Sequence, residues 1–245
     1  MTTAFTHWHS GPPYFDFVAR MARAKNARGY LEVGVRDGTT LSRIDCPSIG
    51  VDPFFQITGN VIGKKTNLHL YQMTSDDFFR DYEPSRIINA PIDVIFLDGL
   101  HQFEYLLRDF INSEKVTHRH GLIMLDDCLP ANAEMTERTH NQEGRANTDL
   151  AGWWTGDVWK LLPILEKYRP DLRVTAVDVR PTGSICITNL DPSSTVLERN
   201  YYAILDEYRG ITMDDALCAR FYDGRTIVGA DTILNGFEAS LFVGP

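Results

Sequence analysis

Three aspartates stand where apolar runs stop. Asp98 closes the run "IDVIFLD", and Asp126 and Asp127 follow the run "GLIML". Carboxylates gathered at neighbouring strand ends repel one another unless a proton or a cation sits among them. Hard oxygen donors, with no cysteine or paired histidine counted among them, favour magnesium or calcium over zinc. Asp98, Asp126 and Asp127 are therefore the expected ligands of a divalent cation, magnesium first, although the Asp126-Asp127 pair also reads as a turn that merely ends a strand. His101 follows Asp98 by three residues. Its ordinary pKa suits proton transfer near neutral pH, which makes Asp98 and His101 the candidate bases, with a structural hydrogen bond as the alternative for His101.

A second constellation lies upstream in "YLEVGVRDGTT", Tyr30 to Thr40. Glu32 is embedded in an apolar run, and Gly34 and Gly38 follow it. Glycines there let backbone approach a ligand closely, and the segment beyond them offers free N–H groups. The third glycine of the dinucleotide fingerprint is missing. Asp52 ends the next apolar run roughly 20 residues on, where an acid accepts hydrogen bonds from ribose hydroxyls. Glu32 discriminates further: a buried carboxylate repels a pyrophosphate but gains from a cationic ligand. A sulfonium nucleoside meets both demands, and a nicotinamide dinucleotide bound by an oxidoreductase is the weaker reading.

These residues need elements that bring them together. The segments "GYLEVGV", "SIGVD", "LHLYQM", "IDVIFLD" and "GLIML" are mostly continuous apolar runs, the mark of parallel strands covered on both faces. Helical spacing appears at Phe15, Val18, Met21 and Ala22, in "SDDFFRDY" behind a serine cap, and in "HQFEYLLRDFINSEKV" with Phe103, Leu106, Leu107, Phe110 and Ile111 on one stripe. The strand-helix alternation predicts a doubly wound α/β sheet with its ligand site at the carboxyl ends of the strands. "LRVTAVDV" and "GSICITNL" are joined by Pro181, Thr182 and Gly183, a C-terminal antiparallel hairpin. "WWTGDVWKLLPILEKY" predicts a helix capped by Thr155, and the chain after Ser193 predicts two or three helices. Residues 131–151 are polar and aperiodic, hence a lid or a disordered insert. Trp153, Trp154 and Trp159 either shield an acceptor from that lid or pack the core.

Taken together, the Glu32-x-Gly34-x-x-x-Gly38 turn, Asp52 in "GVDP", Asp98 in "FLDG" and the terminal hairpin resemble class I S-adenosylmethionine-dependent methyltransferases. "IFLDGLHQFEYLLRDF" followed by "GLIMLDDCLP" is similar, more narrowly, to the small-molecule group related to macrocin-type O-methyltransferases. The resemblance covers roughly residues 14–190. It implies a Rossmann-like, doubly wound, seven-stranded and mostly parallel sheet with an extra helical tail, organised as one domain: an N-terminal helical segment over 1–29, a core over 30–190 and an extension over 191–245. It implies S-adenosylmethionine as methyl donor, with Glu32, Gly34, Gly38 and Thr39 along the methionine portion and Asp98 beside it. Asp52 falls to the ribose, and Thr74, Ser75 and Asp76 to the adenine, although Thr74 and Ser75 also read as a helix cap. Arg36 stands where the family usually carries a small residue. The implied reaction is transfer of a methyl group to a hydroxyl of a sugar or natural product, aided by the metal; a non-catalytic nucleoside-binding protein on the same fold is the alternative.

Bulk properties narrow the partners. The 245 residues carry a formal net charge of -9, against the basic face that phosphate backbones require. Cys46, Cys128, Cys186 and Cys218 form no C-x-x-C pair, so reduced thiols are expected. No basic-then-apolar leader and no run of roughly 18 apolar residues is present, which points to a cytoplasmic protein away from membranes. A small-molecule acceptor is the expected partner, and a homo-oligomer is left open. His7, Trp8 and His9 read as a surface segment.

Overall fold

The computed structural model describes residues 4–145 and 149–235. Eight strands build one sheet: β1 (Tyr30–Val33), β2 (Ser48–Val51), β3 (Leu68–Tyr71), β4 (Val94–Leu97), β5 (Leu122–Leu125), β6 (Arg173–Asp178), β7 (Ser184–Thr188) and β8 (Ile227–Gly229). Their order is β3-β2-β1-β4-β5-β7-β6-β8, with β7 antiparallel to β5 and β6 and every other pair parallel. The seven expected strands are all present, and the tail adds an eighth. β8 joins β6 in parallel, so the extension expected to be wholly helical also closes a sheet edge.

Nine helices are described: α1 (Tyr14–Ala24), α2 (Ser75–Asp81), α3 (Pro84–Ile88), α4 (Phe103–Val116), α5 (Leu161–Tyr168), α6 (Val196–Arg199), α7 (Tyr201–Tyr208), α8 (Asp215–Tyr222) and α9 (Ala230–Leu234). Successive strand residues point to opposite faces, and each set finds its own cover. Leu31, Val33, Ile95, Leu97, Ile123 and Leu125 pack with Phe78, Phe103, Phe110 and Ile164. Tyr30, Val94, Phe96, Leu122 and Met124 pack with Phe17, Val18 and Met21 of α1 and Ile233 of α9. Each fully buried phenylalanine contributes roughly 1.5–3 kcal/mol, so both layers hold the strand ends in place.

Three local departures follow from composition. The β2–β3 crossover carries no helix: Pro53, Gly59 and Gly63 break it, and the loop packs Phe55, Ile57 and Val61 beside Leu41 instead. Thr74, one residue before the expected serine, is the cap of α2, its hydroxyl accepting from the Asp77 amide at 3.2 Å. Thr155 does not cap the helix predicted after it; its hydroxyl donates to the Met135 carbonyl at 3.1 Å, and α5 begins only at Leu161.

Candidate active site

β1 and β4 are parallel neighbours in register, so their turns leave the sheet side by side. Gly34, at φ 89°, lies so close to the second turn that a Cβ there would sit 1.8 Å from the Asp98 carbonyl oxygen. Only glycine satisfies both the left-handed backbone and that approach. Gly38, at φ 80°, makes room for the Val61 side chain, 2.5 Å from where its Cβ would be. Between them Arg36 also takes a positive φ of 48° and turns outward. Its amide donates to Asp52 Oδ2 at 2.8 Å, and the Phe54 amide donates to Asp52 Oδ1 at 2.6 Å. The acid assigned to a ribose thus also holds the glycine turn, with lone pairs to spare on both oxygens. Thr39 caps the turn through its amide, which donates to Asp37 at 2.9 Å.

Glu32 is 1 % exposed, and the Tyr30 hydroxyl donates to its Oε2 at 2.7 Å. Burial pushes this carboxyl up to about 8, against the Tyr30 hydrogen bond and with the Asp98 charge. A cationic ligand would relieve that penalty. Two of the residues expected at the adenine are engaged already. Thr74 donates to the Asp77 carboxylate at 2.7 Å, and Asp76 is held by Arg108 at 2.7–3.2 Å. Asp109 is short of partners: one of its oxygens is buried without any, and burial pushes its carboxyl up to about 7.

Beyond Gly34 the acids gather around a histidine. His101 Nδ1 donates to the Trp154 carbonyl at 2.6 Å, so Nε2 faces Asp98 Oδ1 at 3.5 Å and Asp127 Oδ2 at 3.2 Å. Donor atoms of Asp98, His101 and Asp127 all lie within 4.8 Å of one another. Asp126 is not among them. Its Oδ1 accepts from the Ser184 hydroxyl at 2.5 Å, and burial, followed by the charges of Asp127 and Asp98, holds its carboxyl well above the usual range. Asp98 is pushed up to about 6 by burial, with His101 opposing and Asp127 adding to the rise. Burial alone would lower His101, but the two carboxylates outweigh it and carry it up to about 10.

The segment expected as a lid or an insert spans 131–151, of which 146–148 lie outside the described residues. The remainder is pinned down. Arg138 donates to Glu104 at 2.6 Å and 3.0 Å and to Asp157 at 2.6 Å, and Arg145 pairs with Glu137 at 2.8 Å. Trp154 stacks between His101 (4.9 Å) and His140 (5.5 Å), while Trp159 is buried in the core and Trp153 is 47 % exposed. Of the three tryptophans, one packs the core and one covers the acid cluster.

Two contributors lacked a sequence signal. Tyr14 opens α1 and stacks on Phe96 at 5.9 Å; burial, then the charges of Asp98, Asp126, Asp127 and Glu32, raise its phenol far above the ordinary range. His9, read as a surface residue, is 7 % exposed, with Nε2 donating to the Leu129 carbonyl at 2.9 Å and Nδ1 at 3.1 Å from Asp178.

Residues 31–128, which span the glycine turn and all three aspartates, match a family model described as a methyltransferase domain. Over this stretch the chain is similar to a methyltransferase domain. No curated protein matches it. Among solved structures, the fold is similar to cofactor-bound Rv0187 from MTB, at 14 % identity over 71 % of this chain and 78 % of that one, with a TM-score of 0.50. It is similar also to the SAH-bound methyltransferase PaMTH1 of Podospora anserina, at 13 % identity over 73 % and 78 %, with the same score. Domain and fold agree with the resemblance carried by the residues, that of a class I S-adenosylmethionine-dependent methyltransferase. No described helix is long and apolar enough to cross a membrane.

Proposed function

We propose that this methyltransferase domain moves the methyl group of S-adenosylmethionine to a hydroxyl of a small molecule, a sugar or natural product, with help from a divalent cation. The observation that carries the reading is the meeting of Asp98, His101 and Asp127 beside the Gly34 turn. Glu32, Gly34, Gly38 and Thr39 hold the methionine portion, Asp52 the ribose, and the 74–76 segment the adenine. Glu32 supplies negative charge to the cationic donor, which offsets its own burial.

Asp98, His101 and Asp127 fit a cation as two carboxylates and one imidazole, with Asp126 as support behind them. Imidazole widens the suitable ions from magnesium toward manganese, iron or zinc. A bound cation would lower the pKa of the acceptor hydroxyl. Asp98 is the proton acceptor best placed beside the donor, since its carboxyl stays titratable near neutral pH. His101 would take the cation through Nε2 only after losing the proton that the two carboxylates hold on it, and with Nδ1 tied to Trp154 it would then leave the part of base to Asp98. Trp154 and the latched 131–145 segment keep water from the reacting atoms, which matters because methyl transfer depends chiefly on alignment of nucleophile, methyl and sulfur.

The cysteines of the described chain are all free, consistent with a reducing compartment, and we place the protein in the cytoplasm. The test is transfer of labelled methyl from S-adenosylmethionine to a panel of sugar and phenolic hydroxyls, amines and carbon nucleophiles, with and without a chelator. Label in an ether product, lost with the chelator and restored by a divalent cation, supports the reading. Transfer to nitrogen or carbon acceptors, or transfer indifferent to chelation, overturns its oxygen or metal part respectively.

A further inference from the structure

Two adjacent aspartates leave β5, and the fold treats them differently. The Asp126 amide donates to the Leu97 carbonyl at 3.1 Å, which continues the ladder, and its carboxyl meets the Ser184 hydroxyl at 2.5 Å. Asp127 steps into the left-handed region at φ 60°, a conformation that aspartate tolerates better than most residues. Its Oδ1 accepts from the Thr182 hydroxyl, and its Oδ2 lies 3.2 Å from His101 Nε2. Thr182 and Ser184 are 1 % and 2 % exposed, so both hydroxyls act in a water-free setting.

The surroundings fix this division. The Leu129 amide donates to the Thr182 carbonyl at 3.1 Å. Gly183, at φ 59°, leaves space that a Cβ would fill by striking Leu129 at 2.6 Å and His9 at 2.7 Å. His9 bridges the Leu129 carbonyl and Asp178. The hairpin tip, the acid turn and the N-terminal strap thus form one packed unit in which the two carboxylates cannot exchange places.

We infer that Thr182 and Ser184 are positioning residues: the hairpin hydroxyls assign Asp127 to the reacting centre and Asp126 to its support. With Oδ1 tied to Thr182, a single oxygen of Asp127 is presented toward Asp98 and His101. The consequence for catalysis rests on the cation reading above.

The test compares Thr182→Val, Thr182→Ala and the rescue variant Thr182→Ser with the wild type. Manganese binding is followed by electron paramagnetic resonance, SAH binding by calorimetry, and the place of Asp127 by crystallography. The valine and alanine variants should bind manganese at least tenfold more weakly, keep their SAH affinity within twofold, and show Asp127 Oδ2 withdrawn from His101; serine should restore all three. A merely structural role would weaken both ligands together. Asp127 unmoved and manganese affinity unchanged in both the valine and alanine variants would overturn the inference. If the wild type binds no manganese, the cation reading falls and the crystallographic arm alone decides: a displaced Asp127 sustains the positioning role and an unmoved one ends it.

Discussion

Replacing Glu32 with glutamine separates a functional carboxylate from a structural one, because the two consequences have opposite signs. The folded-state pKa of Glu32 is pushed from 4.5 to about 8. An acid raised in this way holds its proton more tightly in the native state than in the unfolded chain, so protonation favours the fold. Its contribution is complete below about 4.5 and is lost as the pH rises through about 8. At roughly 1.36 kcal/mol per pH unit the full span is on the order of 5 kcal/mol. Glu32→Gln cannot ionise, and its carboxamide oxygen still accepts from Tyr30. The variant should therefore match the wild type near pH 4.5 and exceed it at pH 9 by up to that amount, which is roughly 10–20 °C in melting temperature for a chain of this size. The gain should come with a loss: S-adenosylmethionine should raise the melting temperature of the wild type and scarcely raise that of the variant. Melting curves at both pH values, with and without the donor, decide the matter. A stability difference that does not change with pH, or equal stabilisation of both proteins by the donor, would refute the reasoning.

Other consequences are more local. Asp127→Asn should abolish the thermal stabilisation that magnesium or manganese gives, whereas Asp126→Asn should retain most of it because its partner is Ser184; a scan of melting temperature against cation concentration distinguishes the two. Gly34→Ala places a Cβ 1.8 Å from the Asp98 carbonyl in a left-handed backbone, and should cost about 3 kcal/mol or more in denaturant unfolding. Arg138→Ala removes the latch onto Glu104 and Asp157, so thermolysin should cut the 131–151 segment at least about tenfold faster while SAH affinity holds.

β1, β2, β4 and β5 were legible because each is a mostly apolar run, the last three ending in an acid, and sheets buried on both faces leave that mark. β8 left none: three residues, partly exposed, that pair only with the outer side of β6. The crossover helix that a β-α-β-α pattern implies is absent between β2 and β3, where Pro53, Gly59 and Gly63 weigh against helix. Glu32, Gly34 and Asp98 were named as candidates from type and spacing, and the structure brings Gly34 against Asp98. The choice between Asp126 and Asp127 was invisible, since identical neighbours are sorted by a backbone angle and by hydroxyls 55 and 58 residues downstream. Likewise the ion pair of Asp76, which the resemblance sets beside the adenine, was invisible, since Arg108 comes from a helix 32 residues later. Local chemistry names the candidates, and long-range packing selects among them.

The measurement closest to the central claim is a crystal structure of the full chain with SAH. The account predicts the thioether sulfur over the Gly34 turn, with Glu32 and Asp98 lining the methionine portion and Asp52 receiving the ribose hydroxyls. Glu32 turned away from an empty crevice, or the nucleoside bound elsewhere on the molecule, would contradict it.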